Sequence, residues 1–403
     1  MKCRFCNHEI THPLIDLVNA PPSNSYLTLE QLDEPEIFYP LKVLVCEKCF
    51  LVQVDEYQKS DKIFDANYAY FSSMSHSWVA HAEHYVEMIV SKQKLTSHSH
   101  VIEIASNDGY LLQFFKSKEI PCLGIEPTKS TADVARSKGI DVIEEFFGEK
   151  LAKTLRKADL ILGNNVLAHV PNINDFVKGL KVALKQDGII TMEFPHLLNL
   201  IEKSQFDTIY HEHFSYLSLA TTITIFKAHG LKIYDVEELP THGGSLRIYA
   251  IHSENDTPIS LHVKIVLEKE TFAYLDSLKG YTGFQEKANR IKYDFLSFLL
   301  QAKANNQKVV GYGAAAKGNT LLNYCGIKND LIDFVVDKAP LKVGKYLPSS
   351  HIPIVQESHI NTVKPDFVVI FPWNIKEEII EQLNYIKEWG GQFVVAVPAL
   401  EIL

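Results

Sequence analysis

The chain has 403 residues, enough for two or three domains, and its formal net charge of −9 argues against a nucleic-acid surface, which is ordinarily basic. No apolar run approaches membrane-spanning length, and no secretory segment precedes the first motif. The expectation is a cytoplasmic protein with no membrane, no nucleic acid and no obligate protein partner.

Four of the six cysteines fall in two pairs, Cys3-x-x-Cys6 and Cys46-x-x-Cys49. Two thiolates so spaced present both sulfurs to one ion, and two such turns complete a tetrahedral Zn²⁺ site. Four protein ligands leave no open position for water, so the zinc is expected to be structural. The pairs delimit a module over residues 1–66. Within it the run Ala20-Pro21-Pro22-Ser23-Asn24-Ser25 reads as a loop, and Val43–Cys46 and Leu51–Val54 as short strands.

From Tyr68 the texture changes. Helical periodicity over Ser75–Lys92 is followed by a buried strand at His100–Ala105, a helix at Tyr110–Lys118 and a second strand at Cys122–Glu126. Further apolar runs at Leu160–Gly163 and Gly188–Phe194 continue a βαβ series, which implies a doubly wound parallel sheet. In such sheets the ligand lies outside the carboxyl ends of the strands. The first strand ends in Glu103-Ile-Ala-Ser-Asn-Asp-Gly109 and the second in Glu126. An acid there can accept hydrogen bonds from ribose hydroxyls, which suits either a dinucleotide or S-adenosylmethionine. The turn is not Gly-x-Gly-x-x-Gly, since only Gly109 is present; Ser106, Asn107 and Asp108 would obstruct a pyrophosphate, and Asp108 would also repel it. S-adenosylmethionine is therefore favoured, with Glu103, Ser106, Asn107, Gly109, Glu126 and Asn164 as its expected contacts.

Residues Leu261–Asn305 read as long charged helices, a connector. A second βαβ series begins at Lys308–Tyr312 and continues through Ile332–Val336, Phe367–Phe371 and Phe393–Val397. Its first turn, Gly311-Tyr-Gly313-Ala-Ala-Ala316-Lys317, is Gly-x-Gly-x-x-Ala between strand and helix, with Asp337 after the next strand. Taken alone it suggests a dinucleotide site. Lys338, Lys342 and Lys345 read as a solvated loop. Elsewhere, Tyr210-His211-Glu212-His213 could be a metal site, a structural cluster or a catalytic one; in a strand the two imidazoles would share a face.

Several segments together resemble the sugar-nucleotide C-methyltransferases: EIASNDGYLL from Glu103, GIEPT from Gly124, NNVLAHVP from Asn164, YHEHFSY from Tyr210, THGGSLRIY from Thr241 and GYGAAAKGNT from Gly311. The resemblance covers essentially the whole chain. It implies an α/β protein with three parts: the zinc module (1–66), a Rossmann-like class I methyltransferase domain with connector helices (67–285) and a Rossmann-like sugar-nucleotide-binding domain (286–403). It implies methyl transfer to the carbon, most commonly C3, beside the ketone of a nucleotide-linked 4-keto deoxysugar, dTDP favoured, through an enolate. It also places His213, Tyr210, Glu212, His169 and Tyr70 among the reacting groups, and redirects the glycine turn from NAD to the sugar nucleotide. Tyr68, Arg247 and Lys317 are the expected substrate contacts.

Overall fold

The computed structural model of the chain describes residues 1–57 and 71–403. It divides into two units, each assembled from separated segments. The first takes Met1–Thr11, Cys46–Leu197 and Phe214–Gly280; the second takes His12–Val45, Leu198–His213 and Tyr281–Leu403.

The first unit is built on seven strands: β1 (Val101–Ile104), β2 (Cys122–Ile125), β3 (Asp141–Ile143), β4 (Ala158–Asn164), β5 (Leu184–Pro195), β6 (Leu231–Leu239) and β7 (Ser245–His252). Their spatial order is β3-β2-β1-β4-β5-β7-β6. The first five are mutually parallel; β7 runs antiparallel to both β5 and β6. The reversal comes from the sharp turn at Thr241–Gly244, where His242 and both glycines take positive φ. Every residue of β1 is buried, as expected for a strand covered on both faces. Trp78, Tyr85 and Ile89 of the helix His76–Gln93 pack against it, with Leu112 and Phe115 from the helix after β1. A small ribbon of Val52–Val54 and Ser215–Tyr216 belongs to the same unit.

In the second unit six strands follow the order β10-β9-β8-β11-β12-β13: β8 (Val309–Tyr312), β9 (Val335–Val336), β10 (Ile354–Val355), β11 (Phe367–Ile370), β12 (Gln392–Val395) and β13 (Glu401–Ile402). All are parallel except β13. A hairpin of His12–Ala20 and Tyr39–Val45 joins this unit. The Asn19 carbonyl accepts from Asn323, and the Asp16 amide donates to Gln285. Among the described residues no helix is long and apolar enough to cross a membrane.

Candidate active site

The four cysteines of the paired motifs converge in the first unit. Cys3 Sγ lies 3.6 Å from Cys49 Sγ and Cys6 Sγ lies 3.5 Å from Cys46 Sγ, and all four sulfurs fall within 4.8 Å of one another. Tetrahedral thiolates at the usual Zn–S length stand about 3.8 Å apart, so the cage fits the ion. Each pair is closed by a left-handed residue directly after its second cysteine, Asn7 and Phe50, whose amides donate to the Cys3 and Cys46 carbonyls. Gln53 Nε2 donates to Cys3 Sγ at 3.3 Å, a second-layer bond that favours thiolate over thiol.

At the carboxyl ends of β1, β2 and β4 opens a cavity of about 340 Å³. Asn107, Glu126 and Asn164 line it, as does His169. Glu126 is buried; its Oε2 accepts from the Asn107 amide at 3.0 Å and its Oε1 from the Thr128 amide at 2.8 Å. Burial pushes its carboxyl above the ordinary glutamate range, and the two amides act the other way. Glu126 also lines the cavity, and a carboxylate there is an acceptor of the kind a ribose diol requires. Glu103, Ser106 and Gly109 do not line the cavity and sit beneath the turn. Gly109 takes φ +74, and a Cβ there would run into Ile140. The turn itself is strained, with Ala105 and Asn107 also at positive φ. Asn107 Oδ1 and Asp108 Oδ2 hold Ser72 and Ser73 over it.

Sequence reasoning missed several lining residues. Trp78 stacks on His81 and Tyr110, with centroids 5.0 and 6.0 Å apart. Glu145, Phe146 and Phe147 follow β3. The one available signal was their place at a strand's carboxyl end. Asn165 is fixed by a 2.6 Å bond between its Nδ2 and His242 Nε2.

Arg247 lies inside the first unit's protein network. Its Nη2 donates to Glu193 at 2.7 Å and its Nη1 to Glu237 at 3.1 Å, and the guanidinium stands 4.6 Å over the Tyr85 ring. His81 bonds the same Glu193 oxygen at 2.9 Å.

Tyr210, Glu212 and His213 belong to the second unit. The segment is a turn after the short helix Phe206–Thr208 and does not form a strand, so the shared imidazole face expected of a strand is absent. His211 Nε2 bonds the Pro40 carbonyl at 3.2 Å and His213 Nδ1 the Thr208 carbonyl at 2.8 Å. Among the described residues, the cluster able to hold a metal is the four cysteines. A carbonyl only accepts, so it is the Nδ1–H of His213 that donates to Thr208. The Tyr210 ring lies 4.0 Å from that of His213. Glu212 is buried, which raises its carboxyl to about 7, and Asn24 Nδ2 donates to it at 2.7 Å. Tyr68 and Tyr70 lie outside the described residues.

The glycine turn after β8 is filled by the protein itself. Asp337, placed where a ribose acid would stand, accepts from the Ala314 and Ala339 amides at 2.8 Å each. A Cβ on Gly313 would stand 2.7 Å from Pro372, and one on Gly318 2.9 Å from Phe371. These glycines answer to packing. Lys342 is not the solvated lysine of the expectation: it is largely buried, donating to the Ala314 carbonyl at 2.8 Å beside Asp337. Lys317 is half-buried, with Nζ 2.6 Å from Asn374 Oδ1 and 4.6 Å from the Trp373 ring centroid. Burial lowers its ammonium to about 8, against the pull of Asp207.

A parallel sheet with one reversed strand, a cavity over the first turn and a buried acid ending β2 define an S-adenosylmethionine-dependent methyltransferase of class I fold with a structural zinc module. The chain belongs to the C-methyltransferases. Family models match residues 240–398 as a C-methyltransferase C-terminal domain, 79–236 as a methyltransferase domain and 3–64 as a zinc binding domain. The C-methyltransferase NovU of Streptomyces niveus is 32% identical over 406 positions, covering 100% of this chain and 96% of the relative. Solved structures give fainter likenesses that carry no argument. The magnesium protoporphyrin IX methyltransferase of Synechocystis shares 14% identity over 43% of this chain and 79% of its own, at a TM-score of 0.35. An S-adenosylmethionine-dependent methyltransferase from Clostridium acetobutylicum shares 10% over 43% and 92%, at 0.36.

Proposed function

We propose that the substrate is a nucleotide-linked 4-keto deoxysugar, dTDP-linked by preference, methylated at C3 beside the ketone. The observation that carries this reading is the His213–Thr208 bond, which fixes the orientation of an imidazole, a group suited to removing an α-proton. S-adenosylmethionine, when bound, supplies an electrophilic methyl group. The chain's residues do the remaining work. Asn107, Glu126 and Asn164 hold the donor's adenosine part, with Glu103, Ser106 and Gly109 shaping the turn beneath. His213 takes the ring proton, and Glu212 orients that imidazole or takes part in the proton transfer. Tyr210 and His169 donate to the developing enolate oxygen. Tyr70 belongs with these reacting groups and Tyr68 with the substrate contacts. Lys317 meets the diphosphate; Arg247, with both Nη groups engaged, is assigned to the internal network. The division 1–66, 67–285 and 286–403 into zinc, methyl-donor and sugar-nucleotide parts, and a reducing cytoplasmic location that preserves the thiolates, belong to the same proposal.

The test follows the first chemical step. With sugar nucleotide in D₂O and no methyl donor, the wild type should wash deuterium into the α-carbon. His213→Asn should slow that exchange by about 10²–10⁴, the range for loss of a general base, while still binding S-adenosylhomocysteine. Exchange within a few-fold of wild type would remove His213 from the role.

A further inference from the structure

The loop before the first hairpin's return strand has a place in the second unit that its composition did not suggest. Residues Pro22–Tyr26 form a turn, with the Ser25 amide donating to the Pro22 carbonyl at 3.1 Å. Asn319, on the helix that opens from the glycine turn, donates to the Ser23 carbonyl. Tyr26 is buried, and its Oη donates to the Ala314 carbonyl of the glycine turn at 2.6 Å; Lys342 Nζ meets the same carbonyl at 2.8 Å. Asp337 holds the Ala314 amide from the other side. Between these two anchors stands Asn24. Its Nδ2 donates to Glu212 Oε1 at 2.7 Å, and its Oδ1 lies 3.4 Å from Tyr26 Oη.

From this we infer that Asn24 is a positioning residue for Glu212, and that the glycine turn of the second sheet serves as the footing of that contact. The inference deepens the proposed function and rests on its assignment of Glu212 to the reacting segment. The geometry is one-directional. An amide nitrogen can only donate, so Asn24 favours the ionised carboxylate, whereas burial favours the neutral acid. Glu212 is thereby kept able to change protonation near neutrality. Among the described residues, the titratable groups about it include Tyr26, with Lys342 and Asp337 behind it, and Tyr210, His211 and His213 on its own segment. A turn that resembles a nucleotide cradle would then hold protein where a dinucleotide protein holds phosphate. The glycines let Pro372 and Phe371 approach, and the Ala314 peptide between them receives the loop.

The experiment follows the Glu212 carboxyl by ¹³C NMR in protein labelled at glutamate Cδ, its resonance assigned by its loss in Glu212→Gln. In Asn24→Ala, deletion of a hydrogen bond to the charged form should move the Glu212 midpoint to higher pH by about one unit. Asn24→Ser carries the same test should the alanine variant fold poorly. Asn24→Asp should raise it further, two carboxyls then sharing the space. A midpoint unchanged in a folded variant overturns the inference. None of these titrations needs a sugar nucleotide, so the absence of turnover on every 4-keto sugar would sink the substrate reading and leave this one standing. In active protein, the limb of the kcat–pH profile governed by Glu212 should move with the NMR midpoint. A uniform loss of rate with no displaced limb contradicts the assignment.

Discussion

Replacing Glu126 tests the donor site and separates binding from folding. The carboxylate has two tasks: it accepts the amides of Asn107 and Thr128, and it faces the cavity where a ribose diol would lie. Glu126→Ala removes both. A hydrogen bond to a charged group is worth about 1.5–3 kcal/mol, so affinity for S-adenosylhomocysteine should fall roughly 10- to 150-fold. The two amides would lose their partner in a buried place, at about 1–3 kcal/mol of stability each if no water replaces it. Glu126→Gln distinguishes the tasks. Its carbonyl can still accept one amide, but its NH₂ confronts the other, donor to donor. The glutamine should therefore recover part of the stability and little of the affinity. Calorimetric titration and urea unfolding on the same preparations read both. Acidification offers a check without mutation: because burial raises this carboxyl, donor affinity should begin to fall above the ordinary glutamate pKa as pH drops. An alanine variant that binds within two-fold of wild type, at unchanged stability, would refute the placement of the ribose.

Cys46→Ser should lose zinc and thermal stability together, because the site's binding energy is folding energy. Metal analysis with melting, before and after chelation, decides it, and melting indifferent to chelation counts against a structural ion. Glu193 offers a pH test of the first unit. Burial raises its carboxyl, but the His81 bond and Arg247 outweigh this and hold it at about 2. From 4.5 to about 2, at roughly 1.4 kcal/mol per unit, that is about 3 kcal/mol of stability, fully present above the ordinary carboxylate range and lost as pH falls through 2. Glu193→Gln should cost about that much in urea unfolding at pH 7 and clearly less at pH 3; a cost independent of pH contradicts the network. Lys317→Met should weaken binding of dTDP and leave S-adenosylhomocysteine untouched. In the wild type, dTDP affinity should decline as pH rises through about 8, where the buried ammonium loses its charge.

Both sheets were legible because their signal is local. Buried strands such as Val101–Ile104 and Phe367–Ile370 are continuous apolar runs, and the helices between them keep a helical period. The reversed strand Ser245–His252 was not read as part of the sheet. Its eight residues are all buried, and nothing in such a run states direction. The strand His12–Ala20 was missed for a different reason: only four of its nine residues are buried, in a broken pattern, and its register with Tyr39–Val45 slips twice. The cysteine cage was fully legible because ligand spacing is itself the geometry. Arg247 and Lys342 show the opposite case. Charge type suggested ligands or solvent for them, but which carboxylates meet a cation depends on contacts between distant segments, Glu193 and Glu237 for one, Asp337 and the Ala314 carbonyl for the other.

The glycine turn after β8 shows why a motif needs its context. Gly-x-Gly-x-x-Ala records only that something must come close to the backbone there. A pyrophosphate is one such visitor, and a proline ring is another. In this chain Pro372 takes the space over Gly313 and Phe371 that over Gly318, while Asp337 satisfies the amide that a bound nucleotide would otherwise need. The same three requirements, small residues, a close neighbour and an acceptor for the turn, are met with protein atoms alone. The residues that distinguish the two cases lie outside the motif: a proline and an aromatic ring just after β11, and a tyrosine near the start of the chain whose hydroxyl meets the Ala314 carbonyl. Substituting Gly313 should therefore act first on the stability of the second unit, and donor binding in the first unit's cavity should be the function it disturbs least.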